Sequence, residues 1–275
     1  MQDQPILVIG ATGKTGARIV RKLIEKGENV RAGSRHAPIP FDWDDPETWA
    51  PALSGAGAVY VSYFPDLAFP GASDKIEALT ALARSAGVER LVLLSGRGEP
   101  HAQLCEGIVV RSGIDYTLVR ASWFAQNFSE GYLVEPALNG EITLPAGDVR
   151  EPIIDVDDIA DVAVAALTED GHKGELYEVT GPELLSFADA AAELSRHMGR
   201  EVAYRPISLD DFHADMTGIA GDFVADVLTE ICRITLDGRN EYVTDGVERA
   251  LGRPATDFAA FCRKAAASGF WKRAA

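Results

Sequence analysis

Three glycines near the amino end are the first residues with an evident chemical use. In Gly10-Ala11-Thr12-Gly13-Lys14-Thr15-Gly16 they allow a tight turn, close backbone approach to a pyrophosphate, and close helix–strand contact. The apolar run Ile6-Leu7-Val8-Ile9 precedes the turn, and Val20, Leu23 and Ile24 follow at helical spacing. The turn is therefore expected to join a buried strand to a helix whose N-terminus offers unpaired N–H groups to phosphates. Gly13-Lys14-Thr15 ends like a P-loop, but that motif needs a glycine five positions before Gly13, where Val8 stands. The spacing supports a dinucleotide instead.

Choice between NAD and NADP falls at the end of the second strand, where an NAD binder usually carries an acidic residue for the ribose hydroxyl. Here the chain reads Gly33-Ser34-Arg35-His36. Arg35 can pair with a 2′-phosphate and Ser34 can add a donor, so NADP(H) is favoured; a merely solvated Arg35 is the alternative. Asp42 and Trp43 follow where a third strand would lead to the adenine. Asp42 can accept from the adenine amine with Trp43 packed nearby. A helix-capping Asp and a buried core Trp are equally open.

The elements that must position these residues alternate. Strands are expected at residues 6–9, 30–33, 58–61, 91–94 and 116–119, with helices at 74–86 and 102–111 between the later ones. Asp74 with Glu77 has capping-pair spacing. Such alternation predicts an α/β, doubly wound parallel-sheet Rossmann fold. Beyond Arg120 the pattern predicts a helix at 123–138, a Gly/Pro-rich loop at 140–152, a helix at 157–167, a strand at 176–179, a helix at 186–198 capped by Ser186 and Asp189, a strand at 202–204, and then mostly helix. The expected division is a dinucleotide domain of residues 1–120 plus 155–180, and a smaller, mixed but mostly helical substrate-side lobe of 121–154 plus 181–275.

Composition narrows the partners. The 275 residues are 47% hydrophobic, with 26 basic against 42 acidic side chains and a formal charge of -16. That balance argues against nucleic acid and anionic membrane surfaces. Cys105, Cys232 and Cys262 lie far apart without metal or disulfide spacing, and no basic segment with an apolar core opens the chain. A cytoplasmic protein is expected. The Asp155, Asp157, Asp158 cluster is read as helix capping, not a metal site.

The ordered set of motifs resembles the NmrA-like atypical short-chain dehydrogenase/reductases. It comprises the glycine turn, Arg35, Asp42-Trp43-x-Asp45-Pro46, Ser112 through Arg120, Trp123-Phe124 with Asn127-Phe128, Asp157-Asp158-Ile159-Ala160 and Thr180-Gly181-Pro182-Glu183. Gly-Lys-Thr in the turn and Phe41-Asp42-Trp43 are most similar to the fungal ergot-alkaloid reductases, of the agroclavine and festuclavine type, associated with NADPH-dependent reduction of a cyclic iminium. The resemblance implies cofactor contacts at Thr12, Gly13, Lys14, Thr15 and Arg35, with nicotinamide-side contacts from Ser62, Tyr63 and Ser95. One departure is the short stretch from Arg35 to Phe41, which leaves no room for the usual helix between the second and third strands.

A second departure concerns the acid. The wider family's proton-donating Tyr and its Lys fall, on alignment through Glu106, at Gly98 and Ala102, and neither side chain can move a proton. Ser95 stands where the family's catalytic Ser would be. A carbonyl that gains hydride needs a proton or an oxyanion donor, whereas an iminium becomes a neutral amine and needs none. Hydride transfer to an iminium or a conjugated C=C/C=O small molecule is therefore easier to supply than ketone reduction. Tyr63 or His101 can substitute as donor, or serve structure alone. A non-catalytic, NADP(H)-binding redox sensor acting through a protein partner fits the missing pair equally well. An enzyme should present an aromatic-lined cavity, for which Trp123, Phe124, Phe128, Tyr132 and Phe212 are candidates; each can equally be lobe core.

Overall fold

Short, fully apolar strands separated by helices favour a parallel sheet covered on both faces. The computed structural model describes residues 4–271. The opening residues 1–3, and the last four of the chain's expected helical end, lie outside them. The first half runs β1 (Ile6–Ile9), α1 (Lys14–Glu25), β2 (Val30–Gly33), α2 (Trp49–Leu53), β3 (Ala58–Val61), α3 (Ala72–Ser85), β4 (Arg90–Gly96), α4 (Pro100–Arg111) and β5 (Asp115–Ala121). The second half runs α5 (Asn127–Glu130), α6 (Val134–Asn139), β6 (Glu141–Leu144), β7 (Arg150–Glu151), α7 (Val156–Thr168), β8 (Glu175–Val179) and β9 (Leu185–Ser186), then α8 (Phe187–Met198), β10 (Ala203–Pro206), α9 (Leu209–Ala220), α10 (Asp222–Thr235), α11 (Gly246–Leu251) and α12 (Phe258–Ser268).

The main sheet has the order β2-β1-β3-β4-β5-β8, all parallel. Its order reverses between β1 and β3, so a crevice opens at the carboxyl ends of those strands. Successive β1 side chains serve opposite faces. Leu7 and Ile9 join the core under α2, α3 and α4, while Ile6 and Val8 join the core under α1 and α7. Each such fully buried aliphatic side chain contributes about 1.5–3 kcal/mol. A third core, built on Phe128, Phe187, Phe258 and Phe261 among others, holds the later helices and the β6–β10 pair together. Among the described residues no helix is long and apolar enough to cross a membrane.

Several expected elements differ. The crossover after β2 does hold a helix: a 3-10 turn at Pro46–Thr48 runs into α2. No third strand leads to the adenine there, because Asp42 makes only an isolated bridge to Asp45. Asp74 and Glu77 do not cap α3, which starts earlier behind Gly71 with no side-chain cap. The expected 123–138 helix is two short ones, α5 and α6. Gly131 separates them, and a Cβ there would sit 3.0 Å from Lys14 Nζ and 3.1 Å from Asn127 backbone. The expected 140–152 loop contains β6 and β7; β6 alternates exposed and buried residues, a period that flanking Gly140 and Pro145 disguised. Late in the chain α11 packs back on the sheet, with Val247 in the core beside α7 and Gly246 so close to β8 that a Cβ would meet the Glu178 carbonyl at 2.1 Å.

The capping readings at Asp155 and Ser186 hold. Asp155 Oδ1 accepts from the Asp157 N–H at 2.9 Å, and Ser186 and Asp189 bond reciprocally at 3.1 and 3.0 Å. Asp157 pairs with Arg18 and Lys264, and Asp158 with Arg253 and Thr256, which accounts for the acidic cluster.

Candidate active site

At the end of β1 the chain turns through Gly10 at φ +79°. A Cβ on Gly10 would lie 3.1 Å from Ser62 Cβ, one on Gly13 3.3 Å from the Gly10 carbonyl oxygen, and one on Gly16 only 2.1 Å from that oxygen. Bare backbone at all three positions folds the turn tightly onto the helix start. No side chain caps α1 behind Gly13, so its first N–H groups stay available to an anion. Thr12 is exposed on the turn.

Lys14 and Thr15 are less free than a phosphate-binding pair would suggest. Lys14 Nζ donates to Asn127 Oδ1 at 2.8 Å; burial lowers its amine's pKa, with nearby Glu130 opposing. The buried Thr15 hydroxyl accepts from Tyr60 at 2.9 Å, so its side chain ties α1 to β3 and leaves the backbone N–H to face a ligand. Arg18 donates to Glu130 Oε1 at 2.5 Å and to Asp157 Oδ1 at 2.8 Å. These bonds link the first turns of α1, just past the glycine turn, to α5 and α7.

At the ribose end Arg35 is exposed just past β2 and has no ion pair among the described residues. The Ser34 carbonyl closes the loop by accepting from the Phe41 N–H at 3.0 Å. Trp43 is buried, donates Nε1 to the Ser62 carbonyl at 3.3 Å, and packs on Phe41, Trp49 and Tyr63. It is a core aromatic behind the strand ends. Asp42 does not cap a helix: its carbonyl accepts from Trp49 Nε1 at 2.6 Å, its Oδ1 from the Asp44 N–H at 3.0 Å, and Asp45 supplies the cap.

Beside the turn lies a cavity of about 420 Å³ between the strand ends and α9–α10. Ser62, Tyr63 and Ser95 line its strand side, and Trp123, Phe124, Tyr132 and Phe212 its other walls. Phe128 does not: it is 1% exposed, inside the third core, packed on Phe258. His101 also lies off this wall, exposed on α4. Tyr63 is on the wall, with Lys75 Nζ 6.0 Å from its ring centroid; burial raises its pKa and Lys75 only partly opposes this. Ser95 is 4% exposed, and its hydroxyl has no partner among the described residues.

The composition and motifs gave no sign of the wall's acidity. Asp66, Glu99 and Glu151 all line the cavity, and none has an ion pair among the described residues. Asp66 and Glu99 are neighbours on this lining, and burial raises both carboxyls, Glu99 most strongly, with the Asp66 charge adding to its rise. Glu151 is 2% exposed, with burial pushing it up to about 8 against the weaker pull of Arg97. Nearby Arg97 is already engaged: its guanidinium donates to Glu178 at 2.7 Å and to the Asn240 and Tyr242 carbonyls at 2.8 and 2.9 Å. Burial alone would raise Glu178, but the bonds it accepts from Arg97 and the Tyr242 hydroxyl, with the Arg120 charge, hold its carboxyl below the usual range. A weak signal did exist. Asp66 and Glu99 each stand four residues after a strand-end serine, Ser62 and Ser95.

The family described as NAD(P)H-binding matches residues 10–170. An NAD(P)H azoreductase of Xenophilus azovorans is 33% identical to this chain over 96% of it and 98% of the relative. Festuclavine synthase II of Penicillium roqueforti is 30% identical over 90% of this chain and 94% of its own. Among solved structures, an NADPH-dependent quinone oxidoreductase of Escherichia coli, complexed with NADPH, superposes with a TM-score of 0.80 at 24% identity, over 94% of this chain and 99% of that one. With the uncapped α1, the bare glycine cradle and these similarities together, the chain belongs to the NAD(P)H-binding, NmrA-like family of atypical short-chain dehydrogenase/reductases.

Proposed function

We propose that this protein is an NADP(H)-dependent reductase that transfers hydride to an iminium or a conjugated C=C/C=O small molecule. The observation that carries the reading is the open, mostly apolar cavity directly beside the glycine turn, joined to it at the Gly10–Ser62 contact. A redox sensor with a filled nicotinamide face would lack it. Residues 1–120 with 155–180 would hold the dinucleotide, and residues 121–154 with 181–275 the substrate.

In this reading the N–H groups of Lys14, Thr15 and Gly16 hold the pyrophosphate, and exposed Arg35 pairs with the ribose phosphate. The bound reduced cofactor supplies hydride. Ser62, Tyr63 and Ser95 form the wall behind the reacting ring, while Trp123, Phe124, Tyr132 and Phe212 exclude water and stack on a flat substrate. The azoreductase relative, named for reduction with NAD(P)H, supports a conjugated, nitrogen-bearing acceptor. Three buried free thiols suit a reducing, cytoplasmic setting.

Calorimetry with NADPH and NADH, followed by NADPH oxidation against a panel of cyclic iminium, enone and azo compounds, tests the proposal. Tighter NADPH binding, reduced roughly 10- to 100-fold in Arg35→Ala, is expected from loss of a charge-assisted pair. Equal affinity for the two dinucleotides in the parent protein would defeat the Arg35 assignment. Silence across the panel, with a stable complex to a partner protein, would favour the sensor.

A further inference from the structure

On alignment through Glu106 the wider family's Tyr and Lys positions fall at Gly98 and Ala102, and the residue beside Gly98 is Glu99. Its carboxyl folds back over β4 so closely that a Cβ on Gly96 would lie 2.2 Å from Glu99 Oε1. Glu99 is 8% exposed, and its Oε2 accepts no hydrogen bond among the described residues. Asp66 meets it from the loop after β3, anchored by the Ala68 N–H, which donates to Oδ1 at 2.8 Å. Both carboxyls and the unpartnered Ser95 hydroxyl line one cavity wall. Two neighbouring carboxyls on one cavity lining, one of them buried with an unpartnered oxygen, cannot both be ionised at low cost, so the pair favours one proton held between them.

We propose that Asp66 and Glu99 share one proton and form the acid that delivers it to the substrate heteroatom as hydride reaches the adjoining conjugated carbon. The proposal rests on the reductase reading above. In reduction of an enone, a new C–H bond forms at the β-carbon and the C=C π bond opens. Its electron pair runs through to the carbonyl oxygen, and the dyad's O–H bond breaks to protonate that oxygen. The dyad is left with both carboxylates ionised and regains its proton from solvent, while the dinucleotide leaves oxidised. Ser95 Oγ can donate to the same oxygen.

Surrounding charges favour retention of that proton. Glu106 and Cys105 on α4 face the pair, and Glu106 adds negative potential although Arg120 binds it at 2.9 Å. Just past β4 Arg97 is held by Glu178, and from the segment after α10 Arg239 is held by Asp237 at 2.8 Å and by the Gly98 carbonyl at 3.2 Å. Burial raises Glu99 further. Lys14, across the cavity, is held by Asn127, and among the described residues no ion pair reaches either carboxyl.

The test uses full-length protein, its Glu99→Gln and Asp66→Asn variants, NADPH, and two probes: cyclohexenone and a quaternary N-methyl dihydroisoquinolinium salt. In Glu99→Gln, kcat on the enone should fall by about 100-fold or more, the scale of general-acid catalysis, with KM little moved. The loss on the iminium should be at least roughly tenfold smaller, because that product needs no proton. Wild-type enone reduction should decline as pH rises through the dyad's titration and show a solvent isotope effect that the iminium lacks. NADPH fluorescence titration and a thermal melt check each variant's folding. Infrared spectra of the Glu151→Gln protein without cofactor, which lacks the other raised carboxyl on this wall, should show a protonated-carboxyl band at neutral pH that adding Glu99→Gln removes. Equal losses on both probes, or no such band lost, would overturn the dyad. Failure of the wild type on both probes would instead overturn the reductase reading, and the infrared band still decides whether the pair holds its proton.

Discussion

Replacing Glu151 by Gln should stabilise the protein at pH 8 and do almost nothing at pH 4. Glu151 is 2% exposed on the cavity wall, its Oε1 has no partner, and burial lifts its carboxyl from 4.5 to about 8. Below the unfolded value the side chain is protonated in both folded and unfolded chains and costs nothing. Between that value and about 8, the folded state keeps a proton that the unfolded state has released. Stability then falls by up to about 1.4 kcal/mol for each pH unit. Above the folded value the carboxylate is ionised in both states, and the accumulated loss reaches at most about 5 kcal/mol. An amide keeps the volume and cannot ionise, so the gap between variant and parent should open steadily across this window. Urea unfolding at fixed ionic strength, from pH 4 to pH 9, reads it directly, provided the two m-values agree. Parallel stability–pH curves for the two proteins would refute the reasoning, because they would mean that Glu151 ionises in the fold as readily as in the open chain.

Gly16→Ala should abolish measurable NADPH binding, because its Cβ would sit 2.1 Å from the Gly10 carbonyl oxygen; fluorescence titration reads the binding, and a melt should show overpacking of about 1–3 kcal/mol. Arg97→Met removes the guanidinium that joins Glu178 to the Asn240 and Tyr242 carbonyls, and denaturant unfolding should show a loss of about 3–5 kcal/mol; a loss below about 1 kcal/mol would mean the ion pair is not holding the C-terminal segment. Leu228→Trp places an indole into the 420 Å³ cavity, so KM for a bulky acceptor should rise roughly tenfold, about 1.4 kcal/mol, while the NADPH titration stays near the parent's.

Sequence alone made the sheet legible because its strands are short, uninterrupted apolar runs and its glycine turn has few other uses. Ile6–Ile9 and Ala58–Val61 fall where the apolar pattern placed them. The cap at Ser186 was equally plain, since two residues three apart satisfy each other locally. What escaped depends on distant chain segments. Gly131 splits a helical pattern because Lys14 approaches from α1, and Phe128 turns into the lobe core because Phe258 and Trp271 meet it there. The acid on the cavity wall was hidden for the same reason. Asp66 and Glu99 lie in separate loops after different strands, and only the sheet's register brings their carboxyls together.

The aromatic nest behind the strand ends has an optical consequence. Trp43 and Trp49 are buried side by side, Trp43 lies 4.8 Å from Tyr63, and Trp123 lines the cavity itself. Their ultraviolet emission overlaps the absorption of a reduced nicotinamide. Light absorbed by these indoles would pass to a bound cofactor and reappear at its longer wavelength, so the native chain carries its own gauge of occupancy.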